Sequence, residues 1–124
     1  MIDHTGVNVS DFDRSRLFYA AALAPLGYEL LREWQAHAGF GVRPKPDFWI
    51  GAGAVNDPPV HVAFRADSRA DVDRFHAAAL AAGGRDNGPP GLRPHYHEHY
   101  YVPSCWIPTA TTSRRCATRL HELV

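Results

Sequence analysis

Histidine is the residue type most able to do chemistry in this chain, with eight copies in 124 residues. Its imidazole titrates near neutral pH and is the commonest metal ligand. Two histidines stand in matched surroundings: His4 opens the run H-T-G-V-N-V-S, and His61 opens H-V-A-F-R, 57 positions later. A third group, His95, His97 and His99, alternates with Tyr96 and Glu98. On a strand that spacing puts three imidazoles on one face, a pattern able to bind zinc, nickel or copper. A polar strand or cleft rim is the preferred reading of it. Asp86-Asn87-Gly88 is turn chemistry. Cys105 and Cys116 lack a CxxC arrangement, and Ser104 lacks a GxSxG context, so neither residue type offers a nucleophile. No catalytic residue is assigned.

The elements that must position His4 and His61 repeat with them. His4 is followed by Ser10, Asp13, Phe18, Ala21-Ala22-Leu23-Ala24 and Gly27. His61 is followed by Ser68, Asp71, Phe75, Ala78-Ala79-Leu80-Ala81 and Gly83. Each copy reads as a strand, a capped helix and a glycine stop. Ser10 with Asp13, and Ser68 with Asp71, supply a hydroxyl for a free helix amide and a carboxylate for the positive helix end. Leu17, Phe18, Ala21 and Ala22 form one expected apolar stripe; Val72, Phe75, Ala79 and Ala82 form the other. Pro25 ends the first helix early. Gly27 and Gly83-Gly84 can take the left-handed backbone that follows a helix.

Short strands are then expected over residues 28–34, 40–42 and 48–50, divided by glycines and prolines. Residues 55–59 join the two copies, and the Pro/Gly-rich stretch 83–94 reads as a long surface loop that could act as a lid. Strand alternation sets Val7 and Val9 against His4, Gly6 and Asn8. It likewise sets Val62 and Phe64 against His61, Ala63 and Arg65. If the apolar faces pack the helices, both histidines point to one shared concave surface. A structural histidine is the ordinary reading of either one alone. Their matched placement makes a ligand role a serious competitor.

These modules, opening on I-D-H-T-G-V-N-V-S-D and V-H-V-A-F-R-A, resemble the vicinal oxygen chelate superfamily. That family holds glyoxalase I, bleomycin-resistance proteins and extradiol dioxygenases. The segments P-D-F-W-I-G and A-A-G-G-R-D-N-G-P-P-G-L-R-P-H-Y-H-E-H-Y-Y are similar to its small bacterial glyoxalase-like members, and the match spans about residues 1–101. The resemblance implies an α+β fold of two tandem βαβββ modules, with a curled mixed sheet around a cleft and the helices outside. It implies a divalent metal (Zn, Ni, Fe or Mn) held by a histidine on the first strand of each module and a glutamate on the last strand. By matching motifs, His4 and His61 would be the two histidine ligands. The family's occasional fourth ligand falls near Phe48-Trp49-Ile50, none of which binds a hard metal. Arg93, His95, His97 and Tyr100 are the expected substrate contacts near the loop. Trp34, Phe40, Phe48 and Trp49 are expected in the core or cleft wall.

From Val102 the family pattern breaks off. Its D-P-D-G-type turn and closing E-A-V do not occur; Val102-Pro103-Ser104-Cys105-Trp106-Ile107 and a Ser/Thr/Arg-rich run stand instead. A shifted reading frame accounts for this. Residues 101–107 can be written TAC GTG CCT TCG TGC TGG ATC. One G restored after TAC G gives TAC GGT GCC TTC GTG CTG GAT, which encodes Y-G-A-F-V-L-D. The Leu and Asp are forced by the code, and permitted codons for Pro108 to Ala117 continue as P-D-G-H-N-I-E-A-V-C. The tail is therefore read as a frameshifted version of the last two strands. The gene sequence decides it: the idea fails if no single-base change restores the turn and glutamate. Lacking that glutamate, the chain is expected to bind metal weakly or not at all, because open catalytic sites use three protein ligands.

Composition bounds the rest. Thirteen Lys+Arg against thirteen Asp+Glu gives no basic excess for nucleic acid. No apolar run suits a membrane span, and the opening residues lack a signal peptide's pattern. The expectation is one cytoplasmic domain over 1–124, with module one over about 1–54 and module two over about 59–124. Its partner would be a small-molecule substrate or ligand, with a homodimer as the family-implied assembly. Two functions remain open: metal-assisted lyase, isomerase or dioxygenase chemistry on a vicinal-oxygen substrate, lost or kept, and metal-free ligand sequestration of the bleomycin-resistance type.

Overall fold

The repeat seen in the sequence is a repeat in space. The computed structural model describes residues 1–58, 60–86, 88–94, 101–102, 104–106 and 115–120. In the first half, β1 (Thr5–Val9) leads into α1 (Phe12–Leu23), then β2 (Glu29–Trp34), β3 (His37–Gly41) and β4 (Phe48–Ala52). These strands form a sheet in the order β1-β4-β3-β2, parallel at β1–β4 and antiparallel elsewhere. In the second half, β5 (Val62–Ala66) leads into α2 (Arg69–Ala81), and with β6 (Arg85–Asp86), β9 (Ser104–Trp106) and β10 (Arg115–Leu120) it forms a second sheet in the order β5-β10-β9-β6, with the same pairing senses. A small ribbon pairs β7 (Gly91–Leu92) with β8 (Tyr101–Val102). The chain is thus α+β, with matched sheets following one topology.

Local chemistry explains the elements, with some departures from expectation. Ser68 caps α2: its Oγ accepts from the Asp71 amide at 3.1 Å and donates to the Asp71 carboxylate at 2.7 Å. At α1 the cap is Asp11, which accepts from the Arg14 amide at 3.1 Å, and Ser10 lies one residue outside. The buried stripe of α1 is Ser15, Phe18, Tyr19, Ala22 and Leu23. Leu17 is 64% exposed, so it does not belong there. The spacing of three and four residues from Phe18 selects Ser15 and Ala22 and turns position 17 outward. On α2 the buried set is Val72, Phe75, His76 and Ala79. Pro25 sits in a single 3₁₀ turn over Ala24–Leu26, and Gly27 follows in the left-handed region with φ 79°. The 83–94 stretch is not all loop, because it contributes β6 and β7.

The two halves share one core. Val7, Val9, Ala38, Phe40, Phe48 and Ile50 from the first sheet pack with Phe18, Tyr19, Ala22 and Leu23 of α1, and with Phe64, Phe75 and Ala79 of the second half. The seam is aromatic. The Phe48 and Phe64 rings meet edge to face at 5.0 Å, and Tyr28 meets Phe64 at 5.7 Å. Of the four aromatics expected in core or wall, Phe40 and Phe48 are buried and Trp49 is half-buried. Trp34 is 69% exposed on the edge strand β2, where its ring stacks on His37 at 6.2 Å.

The tail from Val102 supplies both inner strands of the second sheet. β10 lies parallel to β5, with Cys116 level with Val62, Thr118 with Phe64 and Leu120 with Ala66. It also runs antiparallel to β9. Among the described residues no helix is long and apolar enough to cross a membrane.

Candidate functional site

His4 immediately precedes β1, and His61 immediately precedes β5. Alternation does what the sequence implied. Val7 and Val9 are buried while Gly6 and Asn8 are exposed; Phe64 and Ala66 are buried while Ala63 and Arg65 are exposed. Both histidines then line one cleft of about 380 Å³, together with Asp3, Tyr28, Asp47, Phe48, Phe64 and Arg65. The structure therefore brings the two repeat histidines to a common surface.

Around His4 the cleft is organised by carboxylates. Its Nδ1 lies 2.8 Å from Asp3 Oδ2, and Lys45 Nζ pairs with the other Asp3 oxygen. Those hydrogen bonds, Lys45 first and then His4, hold the Asp3 carboxyl below the usual range. The tautomer that donates from Nδ1 to Asp3 would present Nε2 as the acceptor, the arrangement found at metal-ligating histidines. Asp47 was not foreseen as a cleft residue. β1 and β4 pair in parallel with Thr5 level with Phe48, and the Thr5 amide donates to the Asp47 carbonyl at 2.9 Å. Asp47 thus precedes β4 as His4 precedes β1. Its carboxylate accepts from the Tyr28 hydroxyl at 3.0 Å. Burial first, then that hydrogen bond, pushes the Tyr28 phenol well above its ordinary value. The available clue was Asp47's place directly before the F-W-I strand, but its neighbourhood depends on a non-local register.

Of the remaining sequence candidates, only Arg93 lies among the described residues. Arg93 donates to the Leu92 and Pro89 carbonyls of its own loop at 3.3 and 3.2 Å, and it is not one of the residues lining this cleft. His95, His97 and Tyr100 lie outside the described residues.

Among the described residues, the donors do not complete the metal site that the histidines suggest. His4 and His61 would provide two ligands, and the third belongs on the strand beside β5. That strand is β10, whose sequence R-C-A-T-R-L has no carboxylate. Asp3 is held by His4 and Lys45, and Asp47 by Tyr28. Among the described residues no three His, Cys, Asp or Glu side chains are grouped so as to hold a metal ion.

The first sheet's open face is paved with glycine. A Cβ at Gly39 would come 2.9 Å from the Trp49 ring, and one at Gly51 would come 2.8 Å from the His37 ring. The absence of a Cβ at these two positions leaves room for the Trp49 and His37 rings close against the strands.

Comparison with known proteins fits this geometry. Residues 1–102 match the model of the family described as the Glyoxalase/Bleomycin resistance protein/Dioxygenase superfamily, and the match stops where the sequence pattern breaks. A glyoxalase/bleomycin resistance protein from Albidiferax ferrireducens T118 is similar at 25% identity and a TM-score of 0.81, over 97% of this chain and 98% of that one. A glyoxalase/bleomycin resistance protein/dioxygenase family enzyme from Burkholderia phytofirmans PsJN shares the fold at 14% identity and 0.72, over 96% and 97% of the two chains. So does a lactoylglutathione lyase from Agrobacterium tumefaciens, at 16% identity and 0.66 over 97% and 92%. No curated protein matches the sequence.

Proposed function

The chain belongs to the glyoxalase/bleomycin resistance protein/dioxygenase superfamily, and we propose that it keeps the family's cleft and two histidine positions without a working metal centre. The scaffold on this reading is that of a metal-assisted lyase, isomerase or dioxygenase acting on a small vicinal-oxygen substrate. One observation carries the proposal: β10, hydrogen-bonded along β5 beside His61, is R-C-A-T-R-L and offers no carboxylate. A frame change near Val102 supplies the cause, supported by the family match ending at residue 102. No catalytic step runs through a metal here, because the donor set among the described residues is incomplete.

What the residues present can do is bind. The cleft joins aromatic walls from Tyr28, Phe48 and Phe64 to polar groups on His4, His61 and Arg65, a lining suited to holding a small molecule. That mixture favours the second reading, a metal-free ligand-binding module of the bleomycin-resistance type. Cytoplasmic location and homodimerisation belong to both readings. Metal analysis of untagged protein tests the absence of a metal centre that both readings share. Less than a tenth of an equivalent of metal, unaffected by His4→Ala or His61→Ala, is expected of a chain without the centre. About one equivalent, lost on either substitution, contradicts the proposal.

A further inference from the structure

Cross-strand register sets out the open face of the first sheet in two rows. Trp34 on β2 is level with His37 on β3, then with Gly51 on β4 and Asn8 on β1. One step along the strands, Arg32 is level with Gly39, then with Trp49 and Gly6. Level residues on neighbouring strands share a face; the strands lie about 4.8 Å apart and such rows about 7 Å apart. This face points away from the core, because the alternate residues Val7, Ala38, Phe48 and Ile50 are the buried ones.

The rows present rings and one cation to solvent. Trp34 is 69% exposed, Arg32 and His37 are exposed, and Trp49 is half-buried. The two glycines let rings lean across to the next strand. The Trp49 indole comes within 2.9 Å of where a Cβ on Gly39 would stand, so its far end lies over β3, one strand from Arg32. In the adjoining row Trp34 stacks on His37 with ring centroids 6.2 Å apart. Three rings thus stand within two strand spacings of the Arg32 position.

That cation is uncommitted. The only acidic residues in β1 to β4 are Glu29 and Glu33. Glu33 pairs with Arg16 of α1, and Glu29 pairs with Arg43 at 2.6 Å. Arg32, between them in sequence, has no ion pair among the described residues. A guanidinium fork matches a carboxylate in plane and charge, and aromatic side chains take another ring by offset or edge-to-face stacking. None of the four residues lines the cleft of His4 and His61.

We propose that Arg32, Trp34, His37 and Trp49 form a second ligand site, on the open face of the first sheet, for a planar aromatic carboxylate. The ligand's ring rests against the side-chain rings and its carboxylate meets the Arg32 guanidinium. The site goes beyond the reading above, because it uses neither cleft histidine and does not depend on the sequence of β10.

The test is calorimetric titration of the full chain at low salt with three probes: naphthoate, naphthamide (the ring without the charge) and cyclohexanecarboxylate (the charge without the ring). Naphthoate is expected to saturate at one per chain, and the other two to bind at least about threefold more weakly. Arg32→Gln should weaken naphthoate about tenfold, and Trp34→Ala about three- to tenfold. Arg32→Lys keeps the charge without the fork, so an intermediate loss is expected and guards against misfolding of the Gln variant. Arg16→Gln, which breaks the pair with Glu33 on the helix side of the same strand, should leave binding unchanged. No saturable binding, equal affinity for naphthoate and either analogue, or full affinity in Arg32→Gln overturns the site. An equal loss in His61→Ala also overturns it, by putting the ligand in the cleft. So does a dimer that Trp34→Ala dissociates while naphthoate fails to bind, which gives the face to a second copy of the chain.

Discussion

Replacing Phe64 tests whether the two modules fold as one body. Its side chain is 5% exposed and meets Phe48 at 5.0 Å and Tyr28 at 5.7 Å, both edge to face. Phe64→Ala removes a buried ring and leaves a cavity at the seam, a change that costs about 3–5 kcal/mol. Phe64→Leu keeps most of the volume but loses two ring pairs, each worth about 0.5–1.5 kcal/mol, so about 1–3 kcal/mol is expected. Against a total stability of about 5–15 kcal/mol, the alanine change removes a large share. At a urea slope of about 1.5 kcal/mol/M it lowers the midpoint by roughly 2–3 M. The assay is equilibrium urea unfolding followed by circular dichroism and by tryptophan fluorescence, with Phe48→Leu completing a double-mutant cycle. One coincident transition and a coupling of about 0.5–1.5 kcal/mol between positions 48 and 64 are expected. Two transitions, of which Phe64→Ala moves only one, would refute the shared core.

Other positions give sharper local tests. A Cβ at Gly41 would lie 2.5 Å from the Lys45 carbonyl oxygen and 2.8 Å from Pro46 Cα, whereas one at Gly51 meets only the exposed His37 ring. Gly41→Ala should therefore cost about 1–3 kcal/mol in urea unfolding and Gly51→Ala clearly less. Tyr28→Phe removes the hydroxyl bonded to Asp47 and should cost about 0.5–1.5 kcal/mol at neutral pH. Because the folded phenol titrates above its ordinary value, the tyrosine's advantage is complete below pH about 10 and shrinks above it, as the unfolded state ionises first. Unfolding midpoints of both proteins from pH about 8 to 11 check that convergence. Cys105 and Cys116 are level on antiparallel β9 and β10, at a Cα separation of about 4.5–5.5 Å that a disulfide can span. Oxidised glutathione should form that bond by exchange, releasing two reduced glutathiones. Intact-mass analysis showing the loss of two hydrogens supports the register, and mixed disulfides alone would count against it.

The module plan was legible because it is local and repeated. Strand, cap, helix and glycine stop recur 57 residues apart, and each step rests on near neighbours such as Ser68 with Asp71. Errors arose where two neighbours could serve equally. Ser10 and Asp11 can both cap a helix, and the backbone chose Asp11. Trp34 shows that an aromatic on an edge strand need not be buried. The site was half legible. Alternation aimed His4 and His61 at one surface, but Asp47 reaches that surface only through the β1–β4 register. The strand over Arg115–Leu120 had no signal of its own, since R-C-A-T-R-L lacks apolar alternation. Its place beside β5 is decided by long-range pairing.

The central claim is that a missing carboxylate separates this chain from a metal-binding relative of itself. The direct measurement is zinc affinity, by competition with a chromophoric chelator, for this chain and for the same chain with the single base restored near Val102. About 10–16 kcal/mol of structural zinc binding is shared among four ligands, so one ligand accounts for about 3 kcal/mol, roughly a hundredfold in affinity. One zinc per restored chain is expected, lost on His4→Ala or His61→Ala, with binding about a hundredfold weaker in the chain as it stands. Equal affinity in the two chains contradicts it.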